Sequence, residues 1–485
     1  MKKLQMTAWP KFCMAALLGA SALLMASCAQ DGFDDDESWE PSVTDPQMTS
    51  PSADQIEIIP SADGLSMTIK WPVVMGAGGY ELALYDVSDE ANPVQLLNRV
   101  VDGCSIENVP REEDMYYRLT IRTLGNSSVG SIDAASATPK DFTTTTETTA
   151  TIPAGDLAAW FAENPVPESE EMLYYDLVAG GAYTLNSLLD FQGHKVTLRC
   201  KSKSNRATVT YGEEGGLASG NAFGLKYLNI ECGSSSKAFF TLSDTPGVEV
   251  GEGSYYIITE PITFQYLTVN NLNTYFVYDG GSTGKKYCVK TMLVNNCVVK
   301  MSSNEKMATG AAFQVYDAQG FINDLTIQNS TFWNSTDNKQ NYFIRYANSG
   351  RCTRAGFTSN SINIINCTLY NIAKAGQMCN HSGFDGQPTA NYNITSNIFV
   401  DCGNKQVARR IIGRDGGGTI IFNYNTYMFD GATTNADGTC IDQTGYDKGT
   451  ILTSDPGFAD AANGDFTISG AEQLANKTGD PRWIK

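Results

Sequence analysis

The sequence predicts an all-β protein, in which a small β-sandwich is followed by a right-handed parallel β-helix. Three observations lead to this fold class. Charged residues are only 18% of the chain, while Gly occurs 45 times and Tyr 23 times, a composition that suits turn-rich β structure better than helices. Apolar and polar residues alternate over several short segments between positions 65 and 122. Beyond position 228, a phrase of aliphatic residues and asparagine recurs at intervals that fit one coil of a β-helix.

The amino-terminal segment is typical of an export signal. Lysines at its start precede an apolar run from Met14 to Met25, which is too short for a comfortable membrane span. The run ends in Met-Ala-Ser-Cys at positions 25–28, which resembles the lipobox of a bacterial lipoprotein. The interpretation is a signal peptide over residues 1–27 and a lipid anchor at Cys28, which holds the chain in the outer membrane at the cell surface. An ordinary signal peptide cleaved close to this cysteine is the alternative.

Residues 28–51 are predicted to form an acidic flexible tether. Residues 30–37 are mostly acidic, and the stretch that follows is rich in Asp, Ser, Thr and Pro, a composition that stays extended in water. Acidic residues just after a lipidated cysteine resemble the surface-export signal of lipoproteins from gut Bacteroidetes. A solvated linker explains the same composition, and the two interpretations are compatible.

Residues 52–148 are predicted to form the sandwich. The segments Leu65–Trp71, Tyr80–Tyr85 and Tyr117–Arg122 alternate with a period of two, and glycine-containing turns lie between them. The length matches one sandwich domain. A Trp in an early strand, a Tyr in the next and the late Tyr117 segment resemble a fibronectin type III domain. That resemblance implies a spacer in which the Trp and Tyr rings belong to the core.

The β-helix is predicted over residues 149–485, with a helical cap at its amino-terminal end. Asp156 is a good N-cap for a helix over residues 156–163, and Leu157 and Phe161 lie on one face of that helix. An amphipathic helix can cover the apolar first coil, which a solenoid otherwise exposes to water.

The coil repeat centres on an asparagine that ends a short strand. The clearest copies place it at positions 271, 296, 329, 366, 397 and 425, at intervals of 25, 33, 37, 31 and 28 residues. Asparagine tolerates left-handed backbone angles and can hydrogen-bond its equivalents in neighbouring coils. Cys297 and Cys367 follow their asparagines directly, so we expect both to point inward. Leucine-rich repeats are disfavoured because no helix-and-strand period of 20–29 residues appears, and propeller blades because they need more turns.

The carboxyl-terminal segments Asp455–Phe466 and Gly479–Trp483 resemble the closing region of pectate-lyase-like β-helix proteins from Bacteroidetes. With the lipobox, the tether, the sandwich and the asparagine repeat, they make the architecture similar to a family of surface lipoproteins encoded with glycan-import systems in polysaccharide-utilisation loci. The resemblance covers nearly the whole mature chain and is more specific for fold than for activity. It implies outer-membrane glycan importer proteins as candidate partners.

Composition argues against several kinds of site. A formal charge of −19 argues against a general nucleic-acid binder. Two histidines, His194 and His381, nearly exclude a multi-histidine metal site. Of twelve cysteines, ten remain once Cys13 and Cys28 are set aside, and none of the ten forms a C-x-x-C pair, so zinc and redox motifs are unsupported. An exported chain could form disulfides, but stacked coils favour buried free thiols for several of the ten.

Charge is unevenly distributed along the chain. Between Gly281 and Asn425, eight Lys and six Arg stand against six Asp and one Glu, a local balance of +7. A basic belt of this kind can attract a polyanion, because at a screening length of about 8 Å the local field matters more than the net charge. Chance clustering on a solvated surface is the alternative.

Two lysines are the centre of the predicted binding site. Lys374 and Lys405 each follow a repeat asparagine by eight residues, which predicts that their amines stack one coil apart, at about 4.8 Å between strands. Two like charges at such a short distance repel each other, which costs free energy unless an anion binds to both. Guanidinium groups that suit carboxylates and sulfates complete the predicted set, at Arg345, Arg409, Arg410 and Arg414.

Aromatic residues recur at matching places in neighbouring coils. Trp333 and Tyr370 each stand four residues after a repeat asparagine and could offer a surface on which sugar rings stack. Packing between coils is the alternative for this pair. A second track, formed by Tyr278, Tyr316 and Tyr346, is expected to be a structural row of rings on one face.

These features favour a non-catalytic glycan-binding protein that captures an acidic, pectin-like polysaccharide. The rival is a polysaccharide lyase that acts on a uronic-acid polymer by β-elimination, with Lys374 or Lys405 as the base. A structural or adhesive surface protein without a sugar ligand is the third reading of the same features.

Motifs of the known enzymes of this fold are missing. The R-x-P-x-x-R phrase of pectate lyases is absent, as are the grouped aspartates and the Gly-His-Gly segment of galacturonan hydrolases. The resemblance to lyases implies that Ca²⁺ or arginines neutralise the uronate, so calcium stays open as a cofactor and no other is expected. The local candidates for calcium ligands, Asp385, Asp401 and Asp415, are far apart in sequence, so no metal site is predicted from them.

Overall fold

The computed structural model describes residues 46–61, 66–88, 92–303, 305–336, 340–437, 439, 441, 446–447 and 449–485. The predicted signal peptide, the lipidation site Cys28 and the tether up to residue 45 lie outside these residues. Strands hold 42% and helices 10% of the residues, so the protein is all-β, as predicted. The chain divides between Thr143 and Thr144 into two compact units.

The first unit is built from antiparallel strands. Its described strands are β1 (Glu57–Pro60), β2 (Ser66–Lys70), β3 (Gly79–Asp86), β4 (Val94–Val101), β5 (Ser105–Pro110), β6 (Tyr116–Leu124) and β7 (Thr138–Thr143). One sheet has the order β1-β2-β5 and the other the order β4-β3-β6-β7. Alternate side chains of these strands meet in one apolar cluster, because successive residues of a strand point to opposite faces.

Aromatic side chains of the first unit belong to its core, as predicted. Trp71 and Tyr80 are buried and meet edge to face, with ring centroids 5.4 Å apart. The predicted tether, however, ends before residue 51. Met48 is buried, and its backbone N–H donates to the carbonyl oxygen of Ile132 at 3.0 Å. An apolar side chain that reaches the unit is stabilised by leaving water, so this part of the segment packs instead of staying extended.

The second unit is a stack of coils. In chain order its described strands are β8 (Ala150–Ile152), β9 (Gly155–Asp156), β10 (Leu173–Leu177), β11 (Ala182–Leu185), β12 (Leu188–Asp190), β13 (Val196–Cys200), β14 (Ala207–Tyr211), β15 (Gly216–Ser219), β16 (Phe223–Lys226), β17 (Leu228–Glu231), β18 (Phe240–Leu242), β19 (Tyr256–Ile258), β20 (Ile262–Gln265), β21 (Thr268–Leu272), β22 (Val277–Tyr278), β23 (Tyr287–Asn295), β24 (Val298–Met301), β25 (Ala311–Val315), β26 (Phe321–Gln328), β27 (Thr331–Asn334), β28 (Tyr342–Tyr346), β29 (Asn360–Ile365), β30 (Thr368–Tyr370), β31 (Gln377–Asn380), β32 (Ala390–Thr395), β33 (Ile398–Val400), β34 (Ile420–Asn423) and β35 (Thr426–Met428).

These strands form three parallel sheets. The first sheet has the order β8-β10-β13-β16-β20-β23-β26-β29-β32-β34, with β19 beside β23. The second has the order β9-β11-β14-β17-β21-β24-β27-β30-β33-β35, and the third has the order β12-β15-β18-β22-β25-β28-β31. Consecutive strands of a coil lie in different sheets, so the chain winds around a central core and stacks each strand on its equivalent in the coil before. The predicted parallel β-helix is therefore confirmed.

The second unit also contains helices. The described helices are α1 (Leu157–Glu163), α2 (Val407–Ile412) and α3 (Ala471–Asn476). The carboxylate of Asp156 accepts the backbone N–H of Ala159 at 2.9 Å, which confirms the predicted N-cap of α1. Helix α2 follows β33, in the place where earlier coils have a strand of the third sheet, and it packs against β31. Short 3-10 turns lie at Ala53–Gln55, Glu252–Ser254, Gly281–Thr283, Glu305–Ala308, Cys352–Ala355, Gly403–Lys405, Ala461–Asn463 and Pro481–Trp483.

Aromatic rings fill the middle of the second unit. Phe239 and Phe276 stack with centroids 4.7 Å apart, and Phe313 and Phe332 continue the contact into later coils. All four side chains are fully buried. Each such ring contributes about 2 kcal/mol or more through burial, so the column of rings stabilises the stacking of coils.

The bend between the first and second sheets explains the asparagine repeat. In seven successive coils the residue that follows the first-sheet strand has a positive φ, at Tyr227, Tyr266, Asn296, Asn329, Asn366, Ser396 and Tyr424. The amide of Asn366 donates to the side-chain oxygen of Asn329 at 3.3 Å, so the predicted ladder exists at this point. The middle copies of the repeat therefore occupy the left-handed position that asparagine tolerates.

Three of the predicted ladder positions are in a different register. Asn271 lies inside β21, while Tyr266 occupies the bend of that coil. Asn397 and Asn425 lie one residue after the bend and are fully buried. There the amide of Asn397 donates to the side-chain oxygen of Asn425 at 3.0 Å, which forms a second, internal ladder. The registers differ because Ser396 and Tyr424 adopt the left-handed angles of their coils and shift the asparagines inward.

The cysteines of the second unit that the structure describes are buried free thiols. Cys297 and Cys367 point into the core, as predicted, and Ser330 stands between them in the ladder. Burial raises the pKa of the Cys297 thiol to about 12, so it stays protonated and unreactive. Among the described residues, no helix is long and apolar enough to cross a membrane.

Candidate functional site

The two predicted lysines lie in neighbouring coils, beyond the ends of second-sheet strands. The backbone N–H of Asn404 donates to the carbonyl oxygen of Lys374 at 3.1 Å, which aligns the two loops. Both amines approach the ring of Phe429, with Nζ at 5.6 Å for Lys374 and 5.0 Å for Lys405 from the ring centroid. We call this group, together with Asp401 and Asp430, the lysine bend. The two lysines therefore lie in neighbouring coils beside one ring, and direct stacking of their amines stays a prediction.

Carboxylates of the chain itself neutralise one of these lysines. Lys374 Nζ lies 2.9 Å from Asp401 Oδ2 and 3.1 Å from Asp430 Oδ1. The expectation that an external anion must relieve repulsion between the amines is therefore wrong for Lys374. Burial alone lowers the pKa of Lys374, but its hydrogen bonds with Asp401 and Asp430 outweigh burial, and the net shift is upward. An amine held in its charged form is poorly suited to act as a base.

The lysine bend has an unusual backbone. Positive φ angles occur there at Asn371, Ala373, Asp401, Asn404, Lys405 and Asp430. Residues with a side chain adopt this region at a cost of about 1 kcal/mol or more, and surrounding structure must hold them there. Stacked left-handed turns therefore fix the places from which Lys374 and Lys405 extend.

The outer side of the third sheet carries a second group of side chains. Tyr278, Gln314, Arg345 and Asn380 are register partners on four neighbouring strands, β22, β25, β28 and β31. Around them stand Tyr275, Tyr316 and Tyr342. We call Tyr275, Tyr278, Gln314, Tyr316, Tyr342 and Arg345 the tyrosine–arginine face. Its tyrosines and its arginine are all partly exposed, so the face is accessible to solvent.

Rings hold the guanidinium of this face in place. The guanidinium carbon of Arg345 lies 3.7 Å from the ring centroid of Tyr316 and 5.3 Å from that of Tyr342. Its Nη1 donates to the carbonyl oxygen of Thr309 at 3.1 Å, while its Nε is buried without a hydrogen-bond partner. Among the described residues, the contacts of Arg345 are thus rings and one carbonyl oxygen, and no carboxylate binds it. The charge is fixed in position and remains available to an anion.

A buried amide lies beside this arginine. Gln314 is 2% exposed; its Nε2 donates to Asp317 Oδ2 at 2.9 Å, and its Oε1 has no partner among the described residues. Tyr275 and Tyr278 stack with centroids 4.6 Å apart. Burial, followed by the neighbouring Tyr275 and acidic groups, raises the pKa of Tyr278 to about 12, so its phenol stays neutral and can donate a hydrogen bond. Rings, neutral donors and one fixed cation are therefore combined on one face.

The other predicted arginines lie on or after α2. Arg409 is exposed, Arg410 is half-buried, and the exposed Arg414 places its Nε 3.1 Å from Asp385. His381 supports the helix, since its Nε2 lies 2.6 Å from the carbonyl oxygen of Ile411. Arg414 is thus partly neutralised, whereas Arg409 adds to the basic character of the surface.

The predicted sugar-stacking pair is covered. Trp333 and Tyr370 are register partners on β27 and β30, so their predicted placement one coil apart is present. Trp333 is only 5% exposed, however, and both rings pack on Phe466, with centroids 5.8 and 5.6 Å away. The segment that carries Phe466 lies over them, so this structure gives the pair the packing role and leaves Trp333 no face for a sugar.

The candidate calcium ligands do not converge. Asp385 binds Arg414, Asp401 binds Lys374, and Asp415 accepts the backbone N–H of Gly417 in its own turn. Within the part of the chain that the structure describes, no three His, Cys, Asp or Glu side chains are grouped so that they could hold a metal ion. These residues therefore do not fit a calcium site.

Sequence reasoning missed most of the tyrosine–arginine face. Of its members only Arg345 belongs to the predicted binding set, and Tyr278 and Tyr316 belong to the track expected to be structural. Tyr275, Gln314 and Tyr342 carried no signal of their own. Tyr346 of the same track is fully buried, so the track does not form one row on one face.

Comparison with known proteins gives families without an assigned function. Three family profiles match successive parts of the chain: DUF4992 at residues 10–185, DUF4957 at 181–335 and DUF5123 at 362–483, each a domain of unknown function. No curated protein matches the chain in sequence.

Two solved structures are distantly similar. One is the family 28 exopolygalacturonase of Yersinia enterocolitica, with 9% identity over 86% of this chain and 90% of that chain, at a TM-score of 0.23. The other is a pectate lyase of Pectobacterium carotovorum, with 10% identity over 77% of this chain and 84% of that chain, at a TM-score of 0.14. Similarity this weak carries no argument about activity, so the case for function depends on the side chains described above.

Proposed function

We propose that this protein is a cell-surface glycan-binding lipoprotein that captures an acidic, pectin-like polysaccharide for a polysaccharide-utilisation system. In this proposal Cys28 carries the lipid that anchors the chain in the outer membrane, and importer proteins of that membrane receive the glycan. The first unit is a fibronectin type III-like spacer, a proposal supported by its antiparallel sheets of three and four strands. The lipobox and the acidic residues after it support the anchor.

The tyrosine–arginine face is the observation on which the binding proposal rests. The register partners Tyr278, Gln314 and Arg345 of this face, together with Asn380 on the next strand, span three strand spacings, or about 14 Å along the stack. An extended sugar chain that lies along the stack meets several coils in turn. Tyrosine rings can contact the apolar faces of sugars, and the fixed guanidinium of Arg345 can bind a carboxylate through paired N–H groups. Exposed cations at Lys405 and Arg409 add a favourable field for a polyanion.

The lyase alternative has less support. Of its two candidate bases, Lys374 is bound to two carboxylates and has a raised pKa. The burial that raises the pKa of Tyr278 to about 12 also makes that phenol a poor base. Binding without turnover is therefore the function that the geometry favours.

Native affinity electrophoresis tests the proposal. The mature protein, residues 29–485, is run through gels that contain polygalacturonate, a sulfated glycan or a neutral glucan. We expect retardation in the acidic gels only, and we expect salt to relieve it. Arg345→Ala should weaken binding to polygalacturonate about 10-fold to 100-fold, because a charged hydrogen bond contributes about 1.5–3 kcal/mol. Arg354→Ala is the matched control, since Arg354 is exposed and lies outside the face.

Three results would count against the proposal. Equal retardation of the Arg345 and Arg354 variants would remove the tyrosine–arginine face as the binding surface. Ultraviolet absorbance from an unsaturated product, lost in Lys405→Ala, would instead establish the lyase. Unchanged mobility of the wild-type protein in every gel would leave only a structural or adhesive role.

A further inference from the structure

A small polar cavity lies beside the tyrosine–arginine face. It has a volume of about 130 Å³, and its polar lining includes Asn341, Gln377, Asn404, Gln406 and Arg410. Asn341 precedes β28, Gln377 begins β31, and Gln406 precedes α2, so three successive coils contribute to it. No acidic side chain lines the cavity. Its chemistry is that of neutral amides around a single cation.

The cavity contains polar groups without partners in the protein. Gln406 Oε1 is buried and accepts no hydrogen bond from the described residues. Arg410 enters no ion pair with a described residue, in contrast to Arg414 on the same segment, which binds Asp385. A buried acceptor without a donor costs about 1–3 kcal/mol, so such groups call for an explanation. Arg410 is therefore the charged group of the lining that an anion can bind, whereas Gln406 Oε1 has almost no surface that a ligand could reach.

The size of the cavity restricts the ligand. A volume of about 130 Å³ equals that of about four water molecules. It can hold a carboxylate and the hydroxyl groups beside it, but a polysaccharide chain cannot pass through it. The terminal sugar is the part of such a chain that can enter the cavity furthest.

The cavity also continues the proposed binding surface. Gln377 is the register partner of Tyr342, whose ring lies 5.3 Å from the guanidinium carbon of Arg345. Asn341 directly precedes the same tyrosine. A sugar chain on the tyrosine–arginine face that runs toward later coils thus reaches the cavity after one more strand.

We infer that this cavity binds the terminal uronate of an acidic glycan, with Arg410 on its carboxylate. The inference rests on the proposed function and deepens it, because it makes the protein a receptor for chain ends as well as for chains. Arg410 is then a binding residue for a single sugar, whereas Arg345 binds within the chain.

Isothermal titration calorimetry of the mature protein with D-galacturonate, and with D-galactose as its neutral analogue, tests the inference. We expect galacturonate to bind and galactose to bind at least 10-fold more weakly. Arg410→Gln should weaken galacturonate binding about 10-fold or more, because it removes a charge-assisted contact. Arg354→Gln is the matched control, because it makes the same charge change at an exposed position outside both the cavity and the tyrosine–arginine face. The rim variant Ala375→Phe, at an exposed position, should block galacturonate without disturbing the fold.

Outcomes of this experiment separate the two proposals. If galacturonate fails to bind, or if the Arg410 and Arg354 variants bind it equally, the chain-end inference is overturned. Retardation by polygalacturonate that depends on Arg345 would still support the proposed function in that case. Competition by short oligogalacturonates provides a second readout: it should follow the number of chain ends in the wild type and the total mass of sugar in Arg410→Gln. Competition that follows total mass in both proteins would also overturn the inference.

Discussion

Asn397→Ala is expected to destabilise the carboxyl-terminal coils strongly. Asn397 is fully buried just after the bend between β32 and β33. Its side-chain oxygen accepts the backbone N–H of Cys367 at 2.9 Å, and its amide donates to the carbonyl oxygen of Ile364 at 2.7 Å and to Asn425 Oδ1 at 3.0 Å. One side chain therefore connects three successive coils.

The magnitude follows from the groups that the substitution leaves behind. Alanine at this position leaves the N–H of Cys367 and the carbonyl of Ile364 buried without their side-chain partner. An unsatisfied buried group costs about 1–3 kcal/mol, so the two together cost about 2–6 kcal/mol. A loss of about 4 kcal/mol is a large fraction of the 5–15 kcal/mol that typically separates folded from unfolded protein.

Urea unfolding, followed by far-ultraviolet circular dichroism, measures this loss. Asn393→Ala is the matched control in the same strand region, because Asn393 is partly exposed and its side-chain oxygen accepts only from Thr395 Oγ1, at 2.7 Å. We expect it to cost about 1 kcal/mol or less. Coils of a solenoid can unfold in parts, so the comparison uses the first transition of each curve. Coincident first transitions for the two variants would refute the account of the internal ladder.

Two further predictions concern buried charge. Arg199→Ala should cost about 3–5 kcal/mol in the free energy of unfolding, because Arg199 Nε lies 2.7 Å from Asp176 in a pair that is almost fully buried, and the carboxylate then keeps only the exposed Lys201 and the hydroxyl of Thr148 as partners. Chemical denaturation checks this, and a loss below about 1 kcal/mol would show that the pair is replaceable. Asp279 is fully buried, and burial raises its pKa from 3.8 to about 6. Between these values the unfolded chain loses its proton first, so stability should fall by about 3 kcal/mol as pH rises from 4 to 7. The difference in unfolding free energy between wild type and Asp279→Asn, measured at both pH values, isolates this term, and a pH-independent difference would contradict it.

Features that repeat or act locally could be predicted from the sequence. The N-cap at Asp156 depends on a hydrogen bond within one turn, and the strands of the sandwich depend on a period of two. The approximate spacing of the later coils follows from the spacing of the asparagines. Register within a coil could not be predicted in the same way. At the bend the left-handed position accepts Asn, Ser or Tyr, so Ser396 and Tyr424 could displace the asparagines by one residue without any signal in the repeat.

The electrostatics of the predicted site depend on pairing that the sequence does not reveal. A count of charges finds a basic belt, but Asp401 and Asp430 come from later coils and take up the charge of Lys374. Arg345 has the same formal charge and is held by rings. Contacts between coils therefore decide which cation remains available to an anion. The net charge of the segment does not distinguish Lys374 from Arg345.

Packing between segments far apart in the sequence also changed the interpretation of the aromatic residues. Trp333 has the spacing of a ligand platform, yet a segment more than 120 residues later covers it through Phe466. The lengths of the coils do not predict that this segment covers Trp333. Tyr316 and Tyr342 remain partly exposed, and the guanidinium of Arg345 lies against the ring of Tyr316.

Unsatisfied polar atoms link the two proposals. Gln314 Oε1 and Arg345 Nε on the third sheet, and Gln406 Oε1 in the adjoining cavity, are buried without partners among the described residues. A surface with only a structural role would be more stable if apolar side chains replaced these groups, since each unpaired atom costs free energy in the folded state. Gln314 also donates to Asp317 Oδ2 at 2.9 Å, so its replacement would break that hydrogen bond, whereas Gln406→Leu removes an unpaired acceptor. Gln406→Leu should therefore raise the free energy of unfolding by about 1 kcal/mol or more, which urea denaturation checks, and a lower free energy of unfolding would contradict this account.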